Sequence, residues 1–217
     1  MKHYFLSIFL LSSLVGCVSL NQNDDNIIYH VGDKSFYSVT YIDSLGSIEK
    51  IDTLRMEVTN GFYPDRKQTR IEYYYRQHNH NEVVEYNSWT GLIDSKDYFF
   101  IHPPRIGDLY VLSFSDFPTL KNSFDETVKP YSYEGEITMS KSFNGILVNK
   151  VKTSQQYLGT KTIELNNYGN IWVHQTHSSG KSELGTIVGD YYFSEKLGFV
   201  KMDYTLPKGN KILIERI

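Results

Sequence analysis

A mainly β fold is predicted by three features of this 217-residue sequence: a single antiparallel sheet curved into a half-barrel, barrel or sandwich, with at most one short helix. The first is composition. Eighteen Tyr, 12 Phe and 2 Trp make the chain 15% aromatic, and alanine, the strongest helix former, does not occur in it. The second is alternation, with apolar and polar residues exchanging at period two in a series of short runs. The third is the spacing of Gly, Asn, Asp and Pro between those runs, which is that of meanders, barrels and sandwiches. The length and a 40% hydrophobic content suit one domain with one core, and no repeat, long linker or low-complexity stretch divides it.

The elements follow in order. Residues 35–42 put Tyr37, Val39 and Tyr41 on one face. In 52–59, Leu54, Met56 and Val58 alternate with Thr53, Arg55 and Glu57, and Asn60-Gly61 with Pro64-Asp65 then predicts a turn. The run 69–76 separates Ile71, Tyr73 and Tyr75 from Arg70, Glu72, Tyr74 and Arg76, the pattern of a half-buried antiparallel strand. Further strands are expected at 82–86, 98–101, 109–114, 133–139, 146–153, 162–165, 171–176, 187–193, 199–204 and 211–215. The one helix is expected at 116–127: Asp116 is placed to cap, Pro118 lies in the first turn, and Leu120, Phe124 and Val128 recur every four residues. It would plug or cover one end of the curved sheet. An irregular loop with two buried aromatics is the alternative for the same segment.

Charge narrows the partners. Lys and Arg total 22 against 25 Asp and Glu, a formal net of −3 without a basic run, so neither a nucleic-acid partner nor binding of the domain to an anionic membrane by charge is expected. The one cysteine, Cys17, permits neither a disulfide within the chain nor a Cys-based zinc site.

That cysteine ends a leader. Lys2 precedes an apolar stretch from Tyr4 to Val15, followed by Gly16 and Cys17, which is a secretory signal in layout. The stretch is too short to span a bilayer, which takes roughly 20 helical residues. Leu14-Val15-Gly16-Cys17 resembles the lipobox of bacterial lipoproteins. The resemblance implies cleavage between Gly16 and Cys17, acylation of the Cys17 thiol, and a lipid bilayer as partner through acyl chains numerous enough for stable anchoring. It divides the chain into a signal peptide (1–16), a lipidated N-terminus with a polar tether (17–30) and a β-rich domain (31–217). Val18 and Ser19 place no acidic residue after Cys17, which favours the outer membrane and leaves its face open.

Two further patterns extend the resemblance. His102-Pro103-Pro104-Arg105-Ile106-Gly107-Asp108-Leu109-Tyr110 is similar to a Pro-rich lead-in to a strand in β-rich bacterial envelope lipoproteins of unknown function. The run from Tyr191 to Lys201 resembles their closing hairpin, which turns through Gly198. Some of those proteins look like the curved half-barrels of lipoprotein carriers.

Catalytic motifs are absent or incomplete. Ser178-Ser179-Gly180-Lys181-Ser182 ends like a phosphate loop, but Gln175 stands where the first Gly would fall, and the segment follows a strand without a helix behind it. Ser47–Lys50 and Ser178–Lys181 have the spacing of penicillin-recognising enzymes, yet neither reads as helix and no Lys-Thr-Gly accompanies them. Gly-x-Ser-x-Gly and His-Glu-x-x-His do not occur. His78 and His80 fall in a turn-like segment, and His174 and His177, three apart, take opposite faces of a strand. Glu82, Glu85, Asp94, Asp97, Glu134 and Glu136 could supply a carboxylate pair only if the fold opposed two of them. No catalytic residue, metal site or cofactor is expected.

The aromatic residues remain. Tyr73, Tyr75, Trp89 and Trp172 are the candidate binding surface, since neighbouring aromatics on a strand must point to opposite faces. Either the inner ones fill the core and outer tyrosines cover a solvated sheet, or one face is a concave surface for an acyl chain, a glycan or a protein. The function expected is a non-catalytic binding module for a hydrophobic or lipid-like ligand. A structural or assembly subunit of an envelope complex and a surface glycan-binding protein are the alternatives.

Overall fold

The alternation read from the sequence becomes a twelve-stranded antiparallel sheet in the computed structural model of the protein, which describes residues 26–63, 68–79, 82–121 and 131–217. In chain order the strands are β1 (Lys34–Ile42), β2 (Ile48–Tyr63), β3 (Gln68–Asn79), β4 (Glu82–Asp94), β5 (Tyr98–Ile101), β6 (Thr119–Lys121), β7 (Ser132–Phe143), β8 (Ile146–Leu165), β9 (Gly169–Ser182), β10 (Gly185–Ser194), β11 (Gly198–Thr205) and β12 (Lys211–Arg216). Among the described residues one 3₁₀ helical segment, Gly107–Phe114, lies between β5 and β6. The spatial order is β6-β5-β4-β3-β2-β1-β12-β11-β10-β9-β8-β7. Two six-stranded meanders are therefore joined where β1 pairs with β12, from Tyr37 opposite Arg216 to Ile42 opposite Lys211.

The sheet curls into a half-barrel with its apolar positions inward. Tyr37, Val39, Leu54, Met56, Ile71, Tyr73, Tyr75, Phe193, Phe199 and Ile214 are all buried. Each such side chain contributes about 1.5–3 kcal/mol of burial. The buried tyrosines also find partners for their hydroxyls: Tyr37 donates to the Phe199 carbonyl at 3.2 Å, Tyr73 to that of His102 at 2.9 Å and Tyr191 to that of Asp116 at 2.8 Å.

The helical segment crosses the concave face. At one end Gly107 meets Tyr75, Tyr86 and Gln77 of β3 and β4; just past the other, the Phe114 carbonyl lies where a Cβ on Gly180 of β9 would come within 2.9 Å. Leu109, Val111, Leu112 and Phe114 are buried beneath it. The two edges of the sheet are also drawn together. Gln155 Nε2 of β8 donates to the Thr119 carbonyl of β6 at 2.7 Å, and the Lys121 N–H donates to the Tyr131 hydroxyl at 3.2 Å.

Several expectations are corrected. Residues 109–114 form the helical segment rather than a strand, because they bury side chains on more than one side and pair with no neighbour. The predicted helix at 116–127 contains β6, which pairs with β5 from Tyr98 opposite Lys121 to Phe100 opposite Thr119; its residues 122–127 lie outside the described residues. Strands predicted at 146–153 and 162–165 are one strand, β8, with a bulge at Tyr157/Gly159. Asn60-Gly61 lies inside β2, where the register shifts between Val58 and Phe62; Pro64-Asp65 lies outside the described residues.

The antiparallel order gives the half-barrel two distinct ends. The β1–β2, β7–β8, β9–β10 and β11–β12 turns gather at one, the mouth. The β4–β5, β8–β9 and β10–β11 turns gather at the other, the base, where the chain also enters β1. The folded part begins before residue 31: Tyr29 is buried, the Ile28 and Tyr29 N–H groups both donate to Asp94 Oδ2 at 2.7 Å, and the Phe199 N–H donates to the Tyr29 hydroxyl at 2.7 Å.

Candidate functional site

At the mouth the inner face of β2 turns polar. After Val58, Met56 and Leu54, counting back toward the mouth, the next inward position is Asp52, which is fully buried. Its carboxylate accepts from the Tyr75 hydroxyl at 2.5 Å and the His78 backbone N–H at 2.7 Å, and the Lys50 ammonium stands 3.1 Å away. Three donors offset the desolvation of a buried carboxylate. Tyr75 gives its one proton to Asp52, so Tyr41, whose hydroxyl lies 2.8 Å from that of Tyr75, is the donor between them. Burial, and then the bond to Asp52, pushes the Tyr75 pKa up; burial does the same for Tyr41. Both remain neutral hydroxyls.

Lys50 ties this cluster to the helical segment. Its Nζ lies 2.6 Å from Asp108 Oδ2 and 4.4 Å from the centre of the Tyr41 ring. Burial works against its charge, but the hydrogen bonds to Asp108 and Asp52 outweigh it and hold the pKa above the ordinary lysine value. Lys50 therefore offers a positive charge rather than a neutral amine. Asp108 also accepts from Gln77 Nε2 at 2.8 Å. Gly107, just before it, has a φ of +53°, and a Cβ there would stand 2.8 Å from Gln77 Oε1 and 2.9 Å from Tyr75 Cε1. Only glycine allows this close left-handed approach. The Gly107-Asp108 pair noted in the sequence thus opens the helical segment, not a strand.

Tyr41, Lys50, Gly107, Asp108 and Val111 form one side of a cleft of about 660 Å³ at the mouth. Phe143, Leu184, Ile187, Leu206 and Ile212 supply an apolar wall, with Asn144, Lys208, Asn210 and Lys211 also on its lining. A cleft of this size with an apolar wall facing charged and amide groups, Glu49 among them, has the character of a small-molecule site. Exposed Leu45, Ile48, Ile146 and Leu147 stand around the same end.

The predicted aromatic surface is not brought together. Tyr73 and Tyr75 are buried in the interior, where Tyr75 serves the cleft only through its hydroxyl. Trp89 is half-exposed on the convex face, opposite Glu72 and with the Arg70 guanidinium 5.0 Å from its ring. Trp172 is half-exposed near the base, edge-on to His174 at 4.7 Å. Gly16 and Cys17 lie outside the described residues, as does His80.

Three of the described histidines have polar side-chain partners. His174 is buried between the Tyr157 hydroxyl at 2.9 Å and Glu195 at 3.1 Å, His177 faces Asp190 at 3.0 Å from the other side of the strand, and His78 lies beside Asp52. Among the described residues no three His, Cys, Asp or Glu side chains gather closely enough to hold a metal ion. Ser178–Ser182 runs within β9 and continues into the β9–β10 hairpin.

Apart from Gly107-Asp108, the cleft residues were not singled out by motif. One signal was present: Asp52 shares the inward parity of Leu54, Met56 and Val58, and an acid on an apolar face needs buried partners. The apolar wall comes from the ends of strands distant in sequence, which alternation does not connect.

No family model matches the chain, and no curated protein matches it. Among solved structures, a Bacteroides fragilis protein described as a candidate exported protein with a YmcC-like fold superposes with a TM-score of 0.50 at 12% sequence identity, covering 88% of this chain and 97% of that one. The half-barrel is similar to that fold. At this identity the likeness is one of architecture, and it spans both meanders.

Proposed function

We propose that the protein is an outer-membrane lipoprotein, anchored through acylated Cys17, whose half-barrel binds a hydrophobic or lipid-like ligand in the mouth cleft without catalysing a reaction on it. The observation that carries this reading is the cleft: about 660 Å³ with Phe143, Leu184, Ile187 and Leu206 on its apolar wall. The leader ending in Leu14-Val15-Gly16-Cys17 supports the address, and the description of the B. fragilis protein as a candidate exported one agrees with it. Lys50, Tyr41 and the asparagines of the lining would meet a polar end while the apolar wall takes a chain.

The test is titration of the full-length protein with a fluorescent fatty acid such as cis-parinaric acid. Leu184→Glu and Leu206→Glu each place a carboxylate on a half-buried part of the wall and should weaken binding about tenfold or more. Unchanged affinity in both would remove the cleft as the site. Cys17→Ser should move the protein out of the membrane fraction.

A second reading, docking of a glycan or protein on the convex face, is favoured by a trough of about 770 Å³ lined by Phe36, Arg55, Tyr74, Arg76 and Asn87, with the Arg55 guanidinium 4.0 Å from the Tyr74 ring. Tyr74→Ala should then abolish retention on glycan arrays or by a crosslinked envelope partner.

A further inference from the structure

The chain leaves the described domain at the base, at the end opposite the cleft. Asn26 Nδ2 donates to the Tyr29 carbonyl at 2.7 Å, Ile28 and Tyr29 are held by Asp94, and Tyr29 is held by Phe199. The point from which the tether departs is therefore fixed. Between Cys17 and Asn26 lie nine peptide units, which span at most about 32 Å when fully extended. That is roughly the length of β1 alone, nine residues rising about 3.3 Å each. To lay the mouth on the leaflet that holds Cys17, the tether would have to run fully stretched along the whole barrel wall.

The base is also suited to lie on a bilayer. Trp172 (50% exposed), Val31 (48%) and Ile217 (40%) lie at this end, and Tyr168 (39%) caps the β8–β9 hairpin, its hydroxyl 3.3 Å from Arg216 Nε. Exposed Lys96 and Lys196 occupy the neighbouring β4–β5 and β10–β11 turns, each beside an acid, Asp97 or Glu195, so the aromatic residues rather than net charge favour a bilayer here. Trp and Tyr at headgroup depth with lysines beside them are the composition of a membrane interface.

We propose that the base of the half-barrel, with Trp172 and Tyr168, rests on the bilayer that holds Cys17, so that the cleft opens away from that bilayer and exchanges its ligand with the opposite side. This rests on the anchoring reading above and is independent of which ligand the cleft takes. The partner is thus a lipid surface at the base, while the apolar rim of Leu45, Ile48, Ile146 and Leu147 faces the aqueous space.

The test uses the lipoprotein as cells make it, purified from membranes and reconstituted into phosphatidylethanolamine/phosphatidylglycerol vesicles with or without brominated acyl chains. Trp89→Phe leaves Trp172 as the single reporter at the base, and Trp89→Phe/Trp172→Phe/Leu45→Trp places the single reporter at the mouth. Bromine should quench Trp172 at least about twofold more than the mouth reporter, and Trp172 emission should shift to the blue. Quenching of the mouth reporter, or of neither, in protein whose mass shows acylated Cys17 would overturn the orientation and leave anchoring intact. A mass without acyl chains would defeat the anchoring reading and the orientation with it.

Discussion

Asp116 sits where the helical segment meets the seam between β6 and β7, and burial pushes its pKa up from 3.8 to about 6 against the opposing hydrogen bonds from the Phe117 N–H and the Tyr133 hydroxyl at 3.3 Å. The folded chain therefore binds this proton more tightly than the unfolded chain does. Its contribution to stability is complete below about pH 4 and is lost as the pH rises through 6. The shift of about two pH units corresponds to at most about 3 kcal/mol. Asp116→Asn should therefore gain on the wild type between pH 4 and pH 7, read as a rise in the difference of their urea midpoints. A difference constant with pH would show that the carboxyl is not perturbed. Asp52 is also buried but is met by three donors, Tyr75, the His78 N–H and Lys50; its inward parity in 52–58 made the need for partners legible, though not which residues would supply them.

The helical segment is the element on which the interior depends. Phe114 is fully buried, with its ring 5.8 Å from that of Phe143 and 5.9 Å from that of Tyr110. Phe114→Ala should cost about 3–5 kcal/mol by leaving a cavity on the concave face, measured by denaturant unfolding. A cost below about 1 kcal/mol would mean that the segment does not fill the half-barrel. This element was also the least legible. Leu109, Val111, Leu112 and Phe114 read as a strand because all are apolar, and only contact with β3–β4 at one end and β9 at the other makes them helical. Where one face is buried and the other wet, as in β1, β3 and β10, alternation located the strand to within a few residues. β6, at three residues, is too short to show a period, and its existence depends on β5 needing a neighbour. Asn144-Gly145 is a two-residue hairpin signal between β7 and β8 that was present in the sequence.

For the whole molecule, the absence of alanine and the abundance of tyrosine have a structural expression. Tyr37, Tyr73, Tyr75, Tyr191 and Tyr204 are buried in the half-barrel, and the cleft described above lies at its mouth. Alternation located most of the strands, but the cleft arises from closure, which brings β1–β2, the β7–β8 and β9–β10 hairpins and the β11–β12 turn to one end. The proposed function requires this cleft to hold a hydrophobic ligand. Native mass spectrometry of the full-length protein, released from its own membranes in mild detergent, tests it most directly. A non-covalent hydrophobic ligand is expected on the wild type and should be depleted in Leu184→Glu, while masses under denaturing conditions should show acyl chains on Cys17 in both. Repeated recovery of ligand-free wild type, or a ligand retained equally by Leu184→Glu, would contradict it.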